Sequence, residues 1–371
     1  IGRRLARRAV ALVPGTATQP ATTDLVDLTR SAASTPSPAV AAAAHAALDR
    51  GETHYTARPG IPQLCAALAA RSAGEGFPAD AESVVVTNGG SEALYIALQS
   101  VARPGSRVLL AGPVAPNIPK MIAFIGATSI QVDSTASSPT AATIAGYDAD
   151  VLLLASPSPI TGVAIPPDEL AAIVRQAGER GMAVILDRSL AWCCYDPVLA
   201  HFPDPDLGAT ILTTGSFSLA YEMAGWRAGY FTAPAQHAGA MLELKQAMSI
   251  CTSAISQFAA LAALEAADDW LNTKRSAMQT RRDAVILRLE QAGLSTIVPD
   301  SWPFLLLDTR LAHPDDRQAA DMLREQAGVI VEPASIYGPS LAGYARITLA
   351  AGETALNDGL DRLIRFHSAC S

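Results

Sequence analysis

The residues of this 371-residue chain that could do chemistry sit just after short apolar runs. Gly89, Gly90 and Ser91 fall between the apolar run 83–88 and a helical stretch that starts SEALYIAL. Free main-chain N–H groups and the helix dipole at such a junction favour an anion. Read more plainly, the glycines form a turn and nothing else. Asp187 ends another apolar run (182–187), where a carboxylate can serve a ligand or hydrogen-bond to nearby backbone. Arg346 lies in the apolar stretch 344–350, suited either to gripping a carboxylate or to a structural ion pair. Amines are scarce: the chain has three lysines, Lys120, Lys245 and Lys274. Its five cysteines form no CxxC pair, and Cys193 and Cys194 are adjacent. Buried small side chains are therefore expected, rather than disulfides or a metal site.

The elements that position these residues read as an α/β fold. Apolar runs at 83–88, 107–112, 150–156, 182–187, 209–215 and 227–233 predict buried strands, and segments such as 167–181 have helical apolar spacing. Alternation of this kind implies a mostly parallel sheet between helices. Ligands then bind beyond the carboxyl ends of the strands. From about 237 to 293 the pattern is helical and stops at Gly293, a fitting C-cap. The runs 304–310, 328–333 and 344–350 predict a smaller α+β domain. The expected organisation is an arm and part of the small domain over 1–45, a large domain over 46–265, and a small C-terminal domain over 266–371.

The net charge of −8 argues against a nucleic-acid partner. No apolar stretch approaches the roughly 18–20 residues of a membrane span. The opening IGRRLARRAVALVPG superficially suggests an export signal, but Pro14-Gly15 ends its short apolar patch, so it reads as a loosely attached arm. A reducing cytoplasm is the expected setting.

Several motifs in order give a resemblance. HYTARPGIPQLCAAL (54–68), TNGGSEAL (87–94), SPSPITG (156–162), LDRSLAWCCYD (186–196), GSFSLAYEMAGWRAGY (215–230) and YARITLA (344–350) resemble the segments of a fold-type-I aminotransferase of the class I/II kind, from about residue 25 onward. The resemblance implies a pyridoxal-phosphate transferase fold with a smaller C-terminal domain. It also implies a phosphate site at Gly89, Gly90, Ser91, Ser216, Ser218 and Arg227, an Asp187 that pairs with the pyridine nitrogen, and an Arg346 that grips the substrate carboxylate. Tyr55 matches a residue that completes the neighbouring subunit's site, so a homodimer is expected. The chain departs from the pattern at the reactive end. Leu219 stands where the family keeps its Schiff-base lysine, Pro159 and Leu190 replace the asparagine and tyrosine that hold the phenolate oxygen, and Ala115 replaces the stacking aromatic. Trp302 fills a place usually given to glycine beside the substrate, and Ser31 another such place.

A laboratory lysine mutant would differ at one position, not at several around the ring. Decay into a non-catalytic partner protein leaves the retained Asp187, phosphate ligands and Arg346 unexplained. The expectation drawn from the sequence is therefore an enzyme acting on a carboxylate-bearing substrate without covalently bound cofactor. Its reaction would be a cofactor-independent cyclisation, condensation or elimination in specialised metabolism; the alternative is a non-covalent user of pyridoxal or pyridoxamine phosphate. Leu219, Leu190, Pro159, Trp302 and Tyr55 would line the substrate pocket with Arg346.

Overall fold

The computed structural model describes residues 25–31, 35–77, 79–132, 138–202 and 210–370. Most of the expected N-terminal arm lies outside these. The first described strand, β1 (Val26–Asp27), is followed by β2 (Val84–Thr87), β3 (Arg107–Ala111), β4 (Thr128–Gln131), β5 (Val151–Ala155), β6 (Ala183–Asp187), β7 (Ile211–Ser216) and β8 (Gly229–Thr232). Strands β2 to β8 form one sheet in the order β2-β8-β7-β6-β5-β3-β4. Only β8 runs against its neighbours β2 and β7, while β7, β6, β5, β3 and β4 pair in parallel. The expected α/β architecture is the one observed.

Alternate strand residues explain why both faces are covered. Leu110, Leu153, Ile185 and Phe231 pack on one side with Ile96 and Ile122. Leu109, Leu152, Leu154 and Leu186 pack on the other with Ile173 and Val174. Helix α1 (Pro38–Asp49) and helix α2 (Pro62–Gly74) precede the sheet, and α3 (Gly90–Val101) follows β2 directly. The sequence pattern does not reveal β4. Its TSIQ is polar, exposed or half-buried throughout, and lies at the sheet edge.

The C-terminal part holds a four-stranded antiparallel sheet, ordered β12-β13-β10-β9: β9 (Thr296–Ile297), β10 (Phe304–Asp308), β12 (Glu332–Pro333) and β13 (Tyr344–Thr348). The run 328–333 splits, because β11 (Val329–Ile330) pairs instead with β1. That pairing ties the N-terminal segment to this part of the molecule. Leu28, fully buried, lies against Gly359, where a Cβ would sit 2.8 Å from the leucine's methyl carbon. A 25-residue helix (Ala267–Gln291) precedes β9. It closes as expected: Gly293 has φ +79°, and the Leu294 N–H donates to the Leu289 carbonyl.

Candidate active site

The carboxyl ends of β2, β3, β5, β6 and β7 point to one edge of the sheet. Because β8 is antiparallel, its amino end and the preceding Arg227 reach the same edge. Gly89 adopts φ +88° and caps α3 without any side-chain hydrogen bond, so the first-turn N–H groups face outward. A Cβ on Gly89 would sit 2.2 Å from Arg227 Nη2, so glycine is needed there for space as well as conformation. Arg227, itself in the left-handed region at φ +54°, donates to the carbonyls of Ala224 (3.0 Å) and Asn88 (3.3 Å) and stays exposed. The Ser216 hydroxyl donates to the Ser218 hydroxyl at 3.0 Å. Ser91 is exposed on the first turn of α3. Backbone donors, two hydroxyls and a guanidinium thus form a cup for a phosphate-sized anion.

Asp187 lies close by, at the end of β6. Its Oδ1 accepts from the Ser189 N–H (2.9 Å), the Ser189 hydroxyl (2.5 Å) and the Thr214 hydroxyl (3.4 Å), and none of these bonds uses Oδ2. Ser189 Oγ would be 3.4 Å from a Cβ on Gly90, which places the carboxylate beside the cup. Burial pushes the Asp187 carboxyl above its ordinary value, and the Ser189 and Thr214 hydrogen bonds pull the other way. A cleft of about 550 Å³, open solvent at its mouth included, is lined by Asp187, Pro159, Ser158, Gly112 and Val114.

The remaining expected residues divide. Leu219, half-buried in the turn after β7, packs on the core, and Leu190 is fully buried in it. Ala115 packs beside Ile160 and Tyr337. Trp302, expected beside the substrate, is instead only 1% exposed in the core, near the Tyr195 ring. Tyr55 is 80% exposed. Ser31 meets the Thr348 hydroxyl at 3.3 Å. Arg346 pairs with Glu332 at 2.6 Å within the single chain. Glu332 and Ser189 escaped the sequence reading. An acid in the otherwise apolar run 328–333 was the available signal for Glu332. Of the lysines, Lys120 is exposed on the helix Asn117–Phe124, and Lys274 pairs with Glu222. Lys245 is buried, 4.0 Å from Glu92, and desolvation lowers its pKa. No cluster of metal-ligating side chains occurs among the described residues, and no described helix is long and apolar enough to cross a membrane.

With this geometry in place, likeness to known proteins is informative. The family model for aminotransferase class I and II matches residues 23–363. The aspartate/prephenate aminotransferase of Thermus thermophilus is 30% identical over 341 residues, covering 87% of this chain and 86% of that protein. That of Cereibacter sphaeroides is 29% identical over 362 residues, covering 90% and 88%. The solved structure of Thermus thermophilus aspartate aminotransferase with maleate superposes with a TM-score of 0.85 at 29% identity, covering 98% of this chain and 94% of that one. These findings correct two expectations. Leu219, with Pro159, Leu190 and Ala115, had suggested a lysine-independent, cofactor-free enzyme that is no transaminase. The whole-length match to aminotransferases, whose members hold pyridoxal phosphate covalently, overturns both that function and the absence of covalent cofactor. These four residues remain facts of the sequence, but they weigh less than a match along nearly the whole chain.

Proposed function

The chain belongs to the class I and II aminotransferases, and from that premise we propose that it holds pyridoxal phosphate across the ends of the large sheet and serves amino transfer on small amino acids. One observation carries the proposal: a cationic cup and a carboxylate, each with hydrogen-bonding capacity left over, lie beside each other at adjacent strand ends, with Asp187 also lining the cleft. The cup at Gly90, Ser91, Ser216, Ser218 and Arg227 would hold the phosphate. Asp187, through its Oδ2, would hold the proton on the pyridine nitrogen. When bound, the cofactor supplies an electron sink for bonds broken at the substrate carbon. Pro159 supplies an apolar lining to the cleft, and the hydrocarbon of Leu219, packed on the core, moves no proton. The substrate class follows the names of the relatives, aspartate/prephenate aminotransferase among them. In the same reading the protein is a homodimer. The exposure of Tyr55 supports this, since it leaves that side chain available to a second copy.

Titration with pyridoxal phosphate, followed by the absorbance of the chromophore, tests the reading. The native protein should bind it saturably. Arg227→Ala should weaken binding roughly tenfold to a hundredfold, because a charge-assisted pair contributes about 1.5–3 kcal/mol. Its melting temperature should hardly move, since Arg227 is exposed. Absence of saturable binding, or equal affinity in the variant, would sink the proposal.

A further inference from the structure

Arg346 on β13 and Glu332 on β12 are direct cross-strand partners. Arg346 donates to Glu332 Oε2 twice, from Nη2 at 2.6 Å and from Nε at 2.9 Å. The Tyr337 hydroxyl donates to the same oxygen at 2.6 Å. The guanidinium lies 4.0 Å from the Phe304 ring centroid and 4.5 Å from that of Tyr337. Three donors on one oxygen and two flanking rings make a closed unit. Burial and the hydrogen bond to Glu332 hold the Tyr337 phenol above its usual range, so it stays a donor.

This unit lies on the face of the small sheet that packs against residues next to those lining the cleft. Leu306, opposite Arg346 on β10, packs with Ile160 and Ala115. The Tyr337 carbonyl accepts the Val114 N–H at 3.0 Å, and Val114 lines the cleft. A carboxylate arriving at Arg346 therefore meets a guanidinium already paired at close range.

We propose that Glu332 is a specificity-determining residue, a built-in competitor for a substrate carboxylate at Arg346. A carboxylate enters only by displacing Glu332. Substrates relying on that single anchor are selected against, in favour of those whose amine or amide can donate to the displaced Glu332. The inference rests on the proposed function for the location of the substrate. The chemistry behind it is ordinary competition between two carboxylates for one guanidinium fork.

The test is calorimetric titration with maleate, run with and without pyridoxal phosphate. Glu332→Gln keeps the shape but removes the charge, and should bind maleate about tenfold more tightly than the native protein. Adding Arg346→Gln to that variant should abolish the gain. Tyr337→Phe, which frees Glu332 from one donor, should give a smaller gain and covers the case in which Glu332→Gln folds poorly. Equal or weaker maleate binding in both single variants, or a gain that survives Arg346→Gln, would overturn the inference. Failure of pyridoxal phosphate to bind would instead defeat the proposed function, while the maleate titration without cofactor would still judge Glu332.

Discussion

The two sheets of the molecule use similar residues to opposite ends. On the large-sheet side, the first turn of α3, the exposed Arg227 and one oxygen of Asp187 keep hydrogen-bonding capacity that nearby side chains leave unused. On the small-sheet side, Arg346 is as cationic as Arg227, yet Glu332 and Tyr337 enclose it. Residue type alone does not make a binding group. A charged side chain advertises a ligand when its neighbours leave it unneutralised, and otherwise reads as structure or as a gate.

The strongest way to break this contrast is to disturb the cup from behind. A Cβ on Gly229 would sit 2.4 Å from the Gly89 carbonyl carbon and 2.5 Å from the Gly90 nitrogen, both backbone atoms. Gly229→Ala should therefore destabilise the fold by about 1–3 kcal/mol and weaken pyridoxal-phosphate binding in the same sample. Gly225→Ala is the control, because a Cβ there would meet nothing within 4 Å. Thermal melts and cofactor titrations of both should separate them. If the two variants behave alike, the cup does not depend on this close packing.

Asp187→Asn sharpens the contrast with a smaller and opposite effect on stability. Desolvation raises the folded-state pKa of Asp187 above the ordinary 3.8. The folded protein then holds this proton to higher pH than the unfolded chain does. Stability is lost as pH rises from the ordinary carboxylate value through the raised one, and the ionised group remains a burden at neutral pH. Asparagine carries no charge, so the variant should melt higher than the native protein near neutrality, and the difference should shrink in acid. Its affinity for pyridoxal phosphate should fall. A lower melting temperature at neutral pH would show that the Ser189 and Thr214 hydrogen bonds outweigh the desolvation.

How much of this was legible in the sequence depends on how local each feature is. The large sheet announced itself through runs such as VLLLA, because strands buried on both faces are apolar at every position. The cup was legible because Gly89 and Gly90 sit directly between β2 and α3. The polar edge strand β4 was not, since nothing in TSIQ distinguishes it from a loop. Glu332 was not either, because its meeting with Arg346 follows from antiparallel pairing of segments 14 residues apart. Leu219 is plain in the sequence, but what it means for function is not a local matter. Neither it nor the neighbouring departures at Pro159, Leu190 and Ala115 outweigh the motifs that place the chain in its family.

The smallest expected effect concerns Trp302, which the sequence placed beside the substrate. In the structure it is a core residue, 1% exposed, and its Nε1 has no hydrogen-bond partner among the described residues. Leaving that N–H buried and unpaired costs about 1–3 kcal/mol. Trp302→Phe removes the unpaired donor, but it also removes buried ring atoms that pack near Tyr195, and partial cavities of this kind cost a comparable amount. The two terms oppose each other, so the melt should shift by no more than the equivalent of about 1 kcal/mol. Binding of pyridoxal phosphate and of maleate should be unchanged, because the side chain is walled off from the cleft. If either affinity moves by more than about threefold while the melt stays put, Trp302 touches the ligand after all. The small-sheet side would then have a binding role beyond the closed unit at Arg346.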